Sequence, residues 1–269
     1  VRRIKLLLKR MAWKIFPRST IQFIKKRHYL RLLRTRLSEK EPELRVIRHL
    51  IKPGDTVIDI GANVGVYSKI LSELVGPDGH VYSIEPLPST FEILCYNVRK
   101  LRLDNVEPVN VAVSDAQRVV TMSLPYDSSG AETHYRASIV TNPAEKGGIE
   151  TANVQATTID SRFLSASGKI SFIKCDVEGH ELACIKGATK FLARSRPAWL
   201  IEVSGEPDNT ASAAHDVFKM LHDQGYSAWW YDGGKLRKRR PGDKSTNYFF
   251  LTDNHIDILK KSDLEMLST

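Results

Sequence analysis

Apolar residues along this chain come in short runs, and the runs alternate between two spacings. Runs such as TVIDI, HVYSI, ISFIK and AWLIE are four to six residues long and rich in β-branched side chains, which predicts strands. Between them, apolar residues recur every three or four positions, which predicts helices. A helix over residues 42–51 leads into a strand over Thr56–Ile60. Pro77-Asp78-Gly79 turns the chain into a second strand, HVYSIEP, with Glu85 at its carboxyl end. Pro88 sits where a helix favours proline and opens PSTFEILCYNVRKL. Asp104-Asn105 then turns into a third strand, VEPVNVAVS. Two further β runs, VVTMSLP and TANVQATT, flank a polar stretch from Tyr126 to Glu150. That stretch is long for a connector, so the sequence predicts a mobile lid or a substrate loop there. Next come the strand ISFIKCD, one helix ELACIKGATKFLARS, the strand AWLIEVS ending at Glu202, and a helix over 211–224. Two late β runs, YSAWWYD and NYFFLTD, are joined by Gly233-Gly234 and a basic loop. Regular alternation of β and α predicts an α/β fold with a mostly parallel sheet covered on both faces, closed by an antiparallel pair at its edge. No repeat or linker divides the body. The expected organisation is a basic helical extension over residues 1–40 and one α/β domain over 41–269.

Charge sharpens that division. The net charge is +9, yet residues 1–36 hold 13 of the 40 Lys and Arg residues and no acid, leaving 27 basic against all 31 acidic side chains elsewhere. The basic excess therefore belongs to the N-terminal tail. Ile4, Leu8, Met11 and Ile15 share one helical face before Pro17, and a second basic helix is predicted over 20–37. Such a tail suits an anionic membrane surface or a polyanionic partner. A cap helix packed on the body, or a dimer contact, is the competing reading, and it leaves a homo-oligomer open. No apolar run reaches the length of a membrane span. The basic-apolar start lacks a small-residue cleavage site and is read as mature sequence. Cys95, Cys175 and Cys184 form neither a disulfide framework nor a zinc pattern, which points to a reducing compartment. The expected location is cytoplasmic, peripheral to the inner face of a membrane if the tail binds lipid.

Chemistry concentrates in DTVIDIGANVGVYS, residues 55–68. A buried strand ends on Asp59, a tight turn carries Gly61, Asn63 and Gly65, and a helix begins. Glycine lets a turn bend sharply and lets a ligand lie against main-chain N–H groups. An acid closing the next strand, here Glu85, is how open α/β sheets hold the ribose of an adenosine. The spacing lacks the third glycine of the dinucleotide motif. The cofactor expected is S-adenosylmethionine (SAM).

With these segments in order, the chain resembles the FkbM-like family of SAM-dependent methyltransferases. The resemblance is carried by GDTVIDIGANVGVYSKILSELVGPDGHVYSIEP, VNVAVSD, FIKCDVEGHELACIKGA and RPAWLIEVS, running from about Gly54 to Ser204. Cys175 replaces the aliphatic residue usual between the lysine and the aspartate. The resemblance implies the class I methyltransferase fold, Rossmann-like, with a seven-stranded mostly parallel sheet and an antiparallel C-terminal edge strand. It also implies methylation of hydroxyl oxygens on natural products and sugars. It covers neither the tail nor the region after Ser204.

Residue by residue, Gly61 and Gly65 admit the methionine portion of SAM, whose carboxylate is drawn to N–H groups at a helix N-terminus. Asp59 and Asn63 supply acceptors for its ammonium, and Glu85 holds the ribose. Ser114 and Asp115 sit where this fold reads the adenine edge, or form a plain turn or cap. At the fourth strand's end, Asp176 and His180 are candidate bases, Glu178 a group that orients either, and Lys174 a partner for a carboxylate or incipient oxyanion. Asp176 and Glu202 end adjacent strands and have the chemistry to share a divalent metal, but two carboxylates make no recognisable ligand set. His134 and Tyr135, in the polar stretch, are candidate substrate contacts. Lys235, Arg237, Lys238, Arg239, Arg240 and Lys244 follow Trp229, Trp230 and Tyr231. They make either a surface for a glycan, lipid phosphate or nucleic acid, or a solvated hairpin with its aromatics in the core. The favoured acceptor is a glycan, glycolipid or polyketide-type hydroxyl. RNA is the weaker acceptor, since no NPPY-like tetrapeptide or RNA-binding module is present, and a non-catalytic membrane adaptor is the third reading.

Overall fold

The computed structural model describes residues 17–35, 41–124, 138–139, 150–165 and 168–267. The first tail helix, the polar stretch with His134 and Tyr135, and the idea of a lid therefore lie outside the described residues. Main-sheet strands are β1 (Thr56–Ile60), β2 (His80–Ile84), β3 (Val106–Val109), β8 (Ile170–Cys175) and β9 (Ala198–Glu202), with β10 (Ser227–Asp232), β11 (Lys235–Lys238), β12 (Asn247–Leu251) and β13 (Glu265–Leu267). Their order is β13-β11-β10-β12-β9-β8-β1-β2-β3. The five strands from β3 to β9 pair in parallel, and β12 runs antiparallel between β9 and β10.

The fold class is the one the sequence implies, an α/β domain with a mixed sheet, but its edge is arranged differently. The antiparallel strand β12 is not at the edge. It fills the slot beside β9, which places Asn247 opposite Glu202, and the β10–β11 hairpin with β13 extends the sheet to nine strands. The hairpin turns at Gly233-Gly234, both at positive φ, so no left-handed strain falls on a side-chain-bearing residue. Three of its six cations are paired: Lys235 with Glu265 at 2.5 Å, Arg237 with Asp232 at 3.5 Å, and Arg239 with Asp208. Trp229 is buried in the core. That region is a folded hairpin with internal ion pairs.

Alternation along the strands builds a core on each face. Ile58, Ile60, Ile84, Ile173 and Ile201 pack against α5 (Ile159–Phe163), α6 (Glu181–Lys186), α7 (Thr189–Ser195) and α8 (Ala213–Asp223). Val57, Val81, Phe172 and Leu200 face α2 (Leu44–Leu50), α3 (Val66–Val75) and α9 (Asp253–Lys260). Outside these layers, α1 (Arg18–Arg34) lies on α4 (Pro88–Leu101).

Two expected elements are divided. VEPVNVAVS is not one strand: β3 ends at Val109, and β4 (Ala112–Val113) joins a second sheet, β4-β7-β5-β6, with β5 (Arg118–Leu124), β6 (Ser138–Ile139) and β7 (Glu150–Thr157). The break serves Asn110, whose Nδ2 donates to the carbonyls of Glu85 and Pro86 at 2.8 and 2.9 Å. The expected helix over 181–195 is α6 and α7, interrupted at Gly187, where a Cβ would lie 2.1 Å from the Ser114 carbonyl oxygen. Both breaks occur where the second sheet meets the first.

Candidate functional site

The loops leaving β1, β2 and β8 meet at one corner, and their backbones continue the strand pairing past the strand ends. Gly61 and Ala62 N–H donate to the Ile84 carbonyl at 3.0 and 2.9 Å, and Asp176 N–H donates to the Ile60 carbonyl at 3.0 Å. Position 61 has room for hydrogen alone, since a Cβ there would sit 1.8 Å from the Asp176 carbonyl oxygen at φ +79. Gly65 caps α3 at φ +97, with the Leu94 side chain 2.9 Å from where its Cβ would be. Between them Asn63 takes φ 50, a conformation asparagine tolerates better than most residues. Asn97 Nδ2 braces the turn by donating to the Val64 carbonyl at 2.8 Å.

A cleft opens at this corner. Its polar wall comprises Gly61, Asn63, Glu85, Asp176, Glu178 and His180, and its apolar wall includes Ile84, Val111, Val113, Met122 and Ile139. Six of the sequence-predicted residues thus share one cleft. Asp59, Gly65, Ser114, Asp115 and Lys174 stand behind it. Val113, Met122 and Ile139 of that wall were missed because they come from the second sheet; the alternation of Val120 and Met122 in VVTMSL was the available signal.

Glu85 is 6% exposed and receives two backbone N–H bonds, Asn63 to Oε2 at 3.0 Å and Leu87 to Oε1 at 2.9 Å. Burial outweighs both, and its pKa is pushed up to about 7. Without ligand, the stability this group contributes is full below its ordinary value of 4.5 and is lost as pH rises through about 7. Glu85→Gln removes the buried charge, worth up to about 3 kcal/mol, and loses one N–H bond worth about 1 kcal/mol. Thermal unfolding at pH 8 should show the ligand-free variant to be more stable than the parent, with a flatter pH dependence. An unchanged pH profile would show that Glu85 stays ionised throughout.

Asp59 is fully buried, and Ser68 Oγ donates to its Oδ2 at 2.7 Å. Burial raises its pKa, against the opposing pull of Lys174 and Ser68. Asp59 Oδ1 and Asn63 Oδ1 are both buried without a hydrogen-bond partner. Two free acceptors beside a glycine-lined turn fit an ammonium-bearing cofactor. Within the turn, the N–H groups of Gly61 and Ala62 are taken by Ile84, that of Asn63 by Glu85 and that of Gly65 by Ala62. The donors left for a carboxylate are at the start of α3, where Val66 and Tyr67 N–H have no backbone acceptor among the described residues.

Lys174 is 6% exposed, donates to Asp176 Oδ2 at 3.0 Å and lies 4.6 Å from the centre of the Tyr67 ring. Burial alone would lower its pKa, but Asp176 and Asp59 overcome that and raise it. This lysine is therefore a fixed cation that aims the Asp176 carboxylate. Burial, then Asp176, raises the pKa of Glu202. Among the described residues no group of three or more His, Cys, Asp or Glu is arranged to hold a metal ion, so Asp176 and Glu202 acquire no third protein ligand.

Ser114 and Asp115 have a setting the sequence did not suggest. Ser114 is fully buried; its Oγ donates to Asp115 Oδ1 at 2.9 Å and lies 3.0 Å from His180 Nε2. Arg118 pairs with Asp115 at 2.8 Å and reaches Ser114 Oγ at 3.4 Å. The bond from Ser114 is the main influence holding the Asp115 pKa below its ordinary value. Burial lowers that of His180, Asp115 opposing and Arg118 adding to the effect. An ionised Asp115 accepts only, so the single hydroxyl hydrogen of Ser114 goes to it. His180 must then be the donor at Nε2, which leaves its Nδ1 lone pair free.

A family model described as Methyltransferase FkbM domain matches residues 59–228. Hexuronic acid methyltransferase AglP of Haloferax volcanii is 28% identical over 194 residues, covering 70% of this chain and 71% of that protein. Protein-L-isoaspartate O-methyltransferase of Ignicoccus hospitalis is 35% identical over 77 residues, 29% of this chain, and the match spans only 35% of that relative's length. Among solved structures, methyltransferase FkbM from Methylobacillus flagellatus KT has a TM-score of 0.47 at 16% identity, covering 73% of this chain and 43% of that one. Aeropyrum pernix fibrillarin, solved with S-adenosyl-L-methionine, has a TM-score of 0.43 at 17% identity, covering 75% and 67%.

Proposed function

The chain belongs to the methyltransferase FkbM domain family of SAM-dependent methyltransferases, and on that footing we propose that it methylates a hydroxyl oxygen of a glycan or glycolipid. SAM supplies a methyl group on a sulfonium, open to direct displacement by an oxygen nucleophile. In this reading Glu85 accepts from the ribose hydroxyls, and the free oxygens of Asp59 and Asn63 take the ammonium. The head of α3 receives the carboxylate, and the wall of Val111, Val113 and Met122 takes the flat base. Asp176, held by Lys174, orients the acceptor hydroxyl, and Nδ1 of His180 removes its proton. Burial keeps that ring neutral near pH 7, the state a base requires. Glu178, in a left-handed turn with Gly179, presents its carboxylate on the acceptor side. Polyketide-type alcohols meet the same chemical requirement; the similarity to AglP over most of both chains favours a sugar.

The observation that carries a neutral hydroxyl is the charge of the cleft. Its described lining contains Glu85, Asp176 and Glu178 but no Lys or Arg, and the nearby Lys174 already bonds Asp176. A carboxylate acceptor would meet like charge there. Purified protein with methyl-labelled SAM should therefore label neutral oligosaccharides or glycolipids well above uronic acid carboxylates. Label found only in RNA, or only as methyl esters, would overturn the proposal.

A further inference from the structure

Outside the cleft, α1 packs on α4. Its sequence, RSTIQFIKKRHYLRLLR, contains no acid, and its two sides are used differently. The inner side is docked: Leu30 and Leu33 are 8% and 3% exposed, Gln22 Nε2 donates to the Ser89 carbonyl at 3.4 Å, and Lys26 pairs with Glu92 at 3.2 Å. At 3.6 residues per turn, Phe23, Ile24, Arg27, Arg31 and Arg34 fall within an arc of roughly 100° on the outer side. Phe23 and Ile24 are 57% and 55% exposed, two of the three exposed large hydrophobics among the described residues. Arg27 lies against the Phe23 ring at 5.7 Å. The arginines line a groove shared with Tyr96 and Lys100 of α4, and no acidic residue lines it.

We propose that this outer face of α1, with Lys100, is a docking surface for an acidic lipid bilayer. Cations alone would suit any polyanion. The two large apolar side chains held out among them decide for a bilayer, because a hydrated polyanion offers them no apolar environment and the acyl boundary does. An anchoring helix must also be fixed to the body it anchors. The contacts of Gln22 and Lys26 tie α1 to α4, the helix that follows Glu85 and the cleft wall. Charge draws the face to the membrane, and shallow insertion of Phe23 and Ile24 holds it.

Co-sedimentation of the full chain with phosphatidylglycerol–phosphatidylcholine vesicles tests this, with pure phosphatidylcholine as the neutral arm. Each cation beside an acidic surface strengthens binding about fivefold. Arg27→Glu, Arg31→Glu and Arg34→Glu together should therefore weaken it by roughly a hundredfold or more. Phe23→Ser with Ile24→Ser should weaken it several-fold. Calorimetric SAM affinity unchanged in both variants shows an intact body, since none of these residues touches the cleft. Retained vesicle binding in the triple variant, equal binding to neutral vesicles, or insensitivity to the loss of Phe23 and Ile24 would each overturn the proposal. So would failure of the full chain to bind acidic vesicles. Capture of RNA in place of vesicles, lost in the triple variant, would assign the face to nucleic acid instead. None of these outcomes depends on the identity of the methyl acceptor.

Discussion

Gly61→Ala is expected to remove SAM binding almost entirely. The added methyl would lie 1.8 Å from the Asp176 carbonyl oxygen and 2.9 Å from its carbon. Both atoms are backbone, so no side-chain rotation can relieve the contact. The two loops would have to separate by more than an ångström, breaking the bond from Asp176 N–H to Ile60 and displacing the residue proposed to orient the acceptor. Left-handed backbone adds about 1–2 kcal/mol of strain for any residue with a Cβ. Calorimetry should show at least roughly a hundredfold loss of SAM affinity, in line with what ångström-scale misplacement does at an active site. Gly54→Ala separates the causes, because φ there is +86 and nothing lies within 4 Å of the added methyl. That variant carries the strain without the clash and should bind SAM normally, with a small drop in thermal stability. Parental SAM affinity in Gly61→Ala would mean that the corner formed by Gly61 and Asp176 does not hold the cofactor.

What could be read from the chain in advance was what local rules determine. Thr56–Ile60 is a strand and Pro88–Leu101 a helix at the expected boundaries, because period, proline and flanking turns are encoded within the segments themselves. That Gly61, Asn63, Glu85 and Asp176 share one cleft was legible because a tight turn and the carboxyl ends of parallel strands each leave a residue-type requirement at these positions. Features set by partners far along the chain were hidden. VEPVNVAVS looks continuous in apolar spacing, and its break at Asn110 exists only because Nδ2 of that residue reaches the Glu85 and Pro86 carbonyls. Gly187 is tolerable inside a helical pattern, and only the Ser114 carbonyl, which a Cβ at that position would meet at 2.1 Å, explains why glycine is needed where the helix breaks. The place of β12 depends on pairing with β9, which no local pattern states. The link between His180 and Ser114 joins residues 66 apart. For that reason the sequence alone reads Ser114 and Asp115 as an adenine contact or a turn, and does not disclose the bond between Ser114 and a histidine of the cleft.

That bonding leads to the second large effect. His180→Gln should lower kcat by about 10²–10⁴ while changing SAM affinity only a few-fold, because in the proposed reading the ring serves the acceptor and not the cofactor. The stronger test is the position of its proton. If Asp115 takes the hydrogen of Ser114, nitrogen-15 NMR of ligand-free protein near neutral pH should find His180 protonated at Nε2 and bare at Nδ1. Ser114→Ala removes the acceptor for that proton, so the ring should become a mixture of tautomers and kcat should fall with little change in SAM affinity. Ser114→Thr keeps the hydroxyl and should recover much of the loss, which a purely packing role for Ser114 would not predict. Burial lowers the pKa of His180 against the pull of Asp115. Activity should therefore persist below the pH at which an ordinary histidine would already be protonated, then decline as the ring takes up a proton. A ring found protonated at Nδ1 would reverse the geometry, leaving Nε2 tied to Ser114 and no lone pair free for the acceptor. The proton would then have to leave by Asp176, and Asp176→Asn would become the variant with the larger loss in kcat.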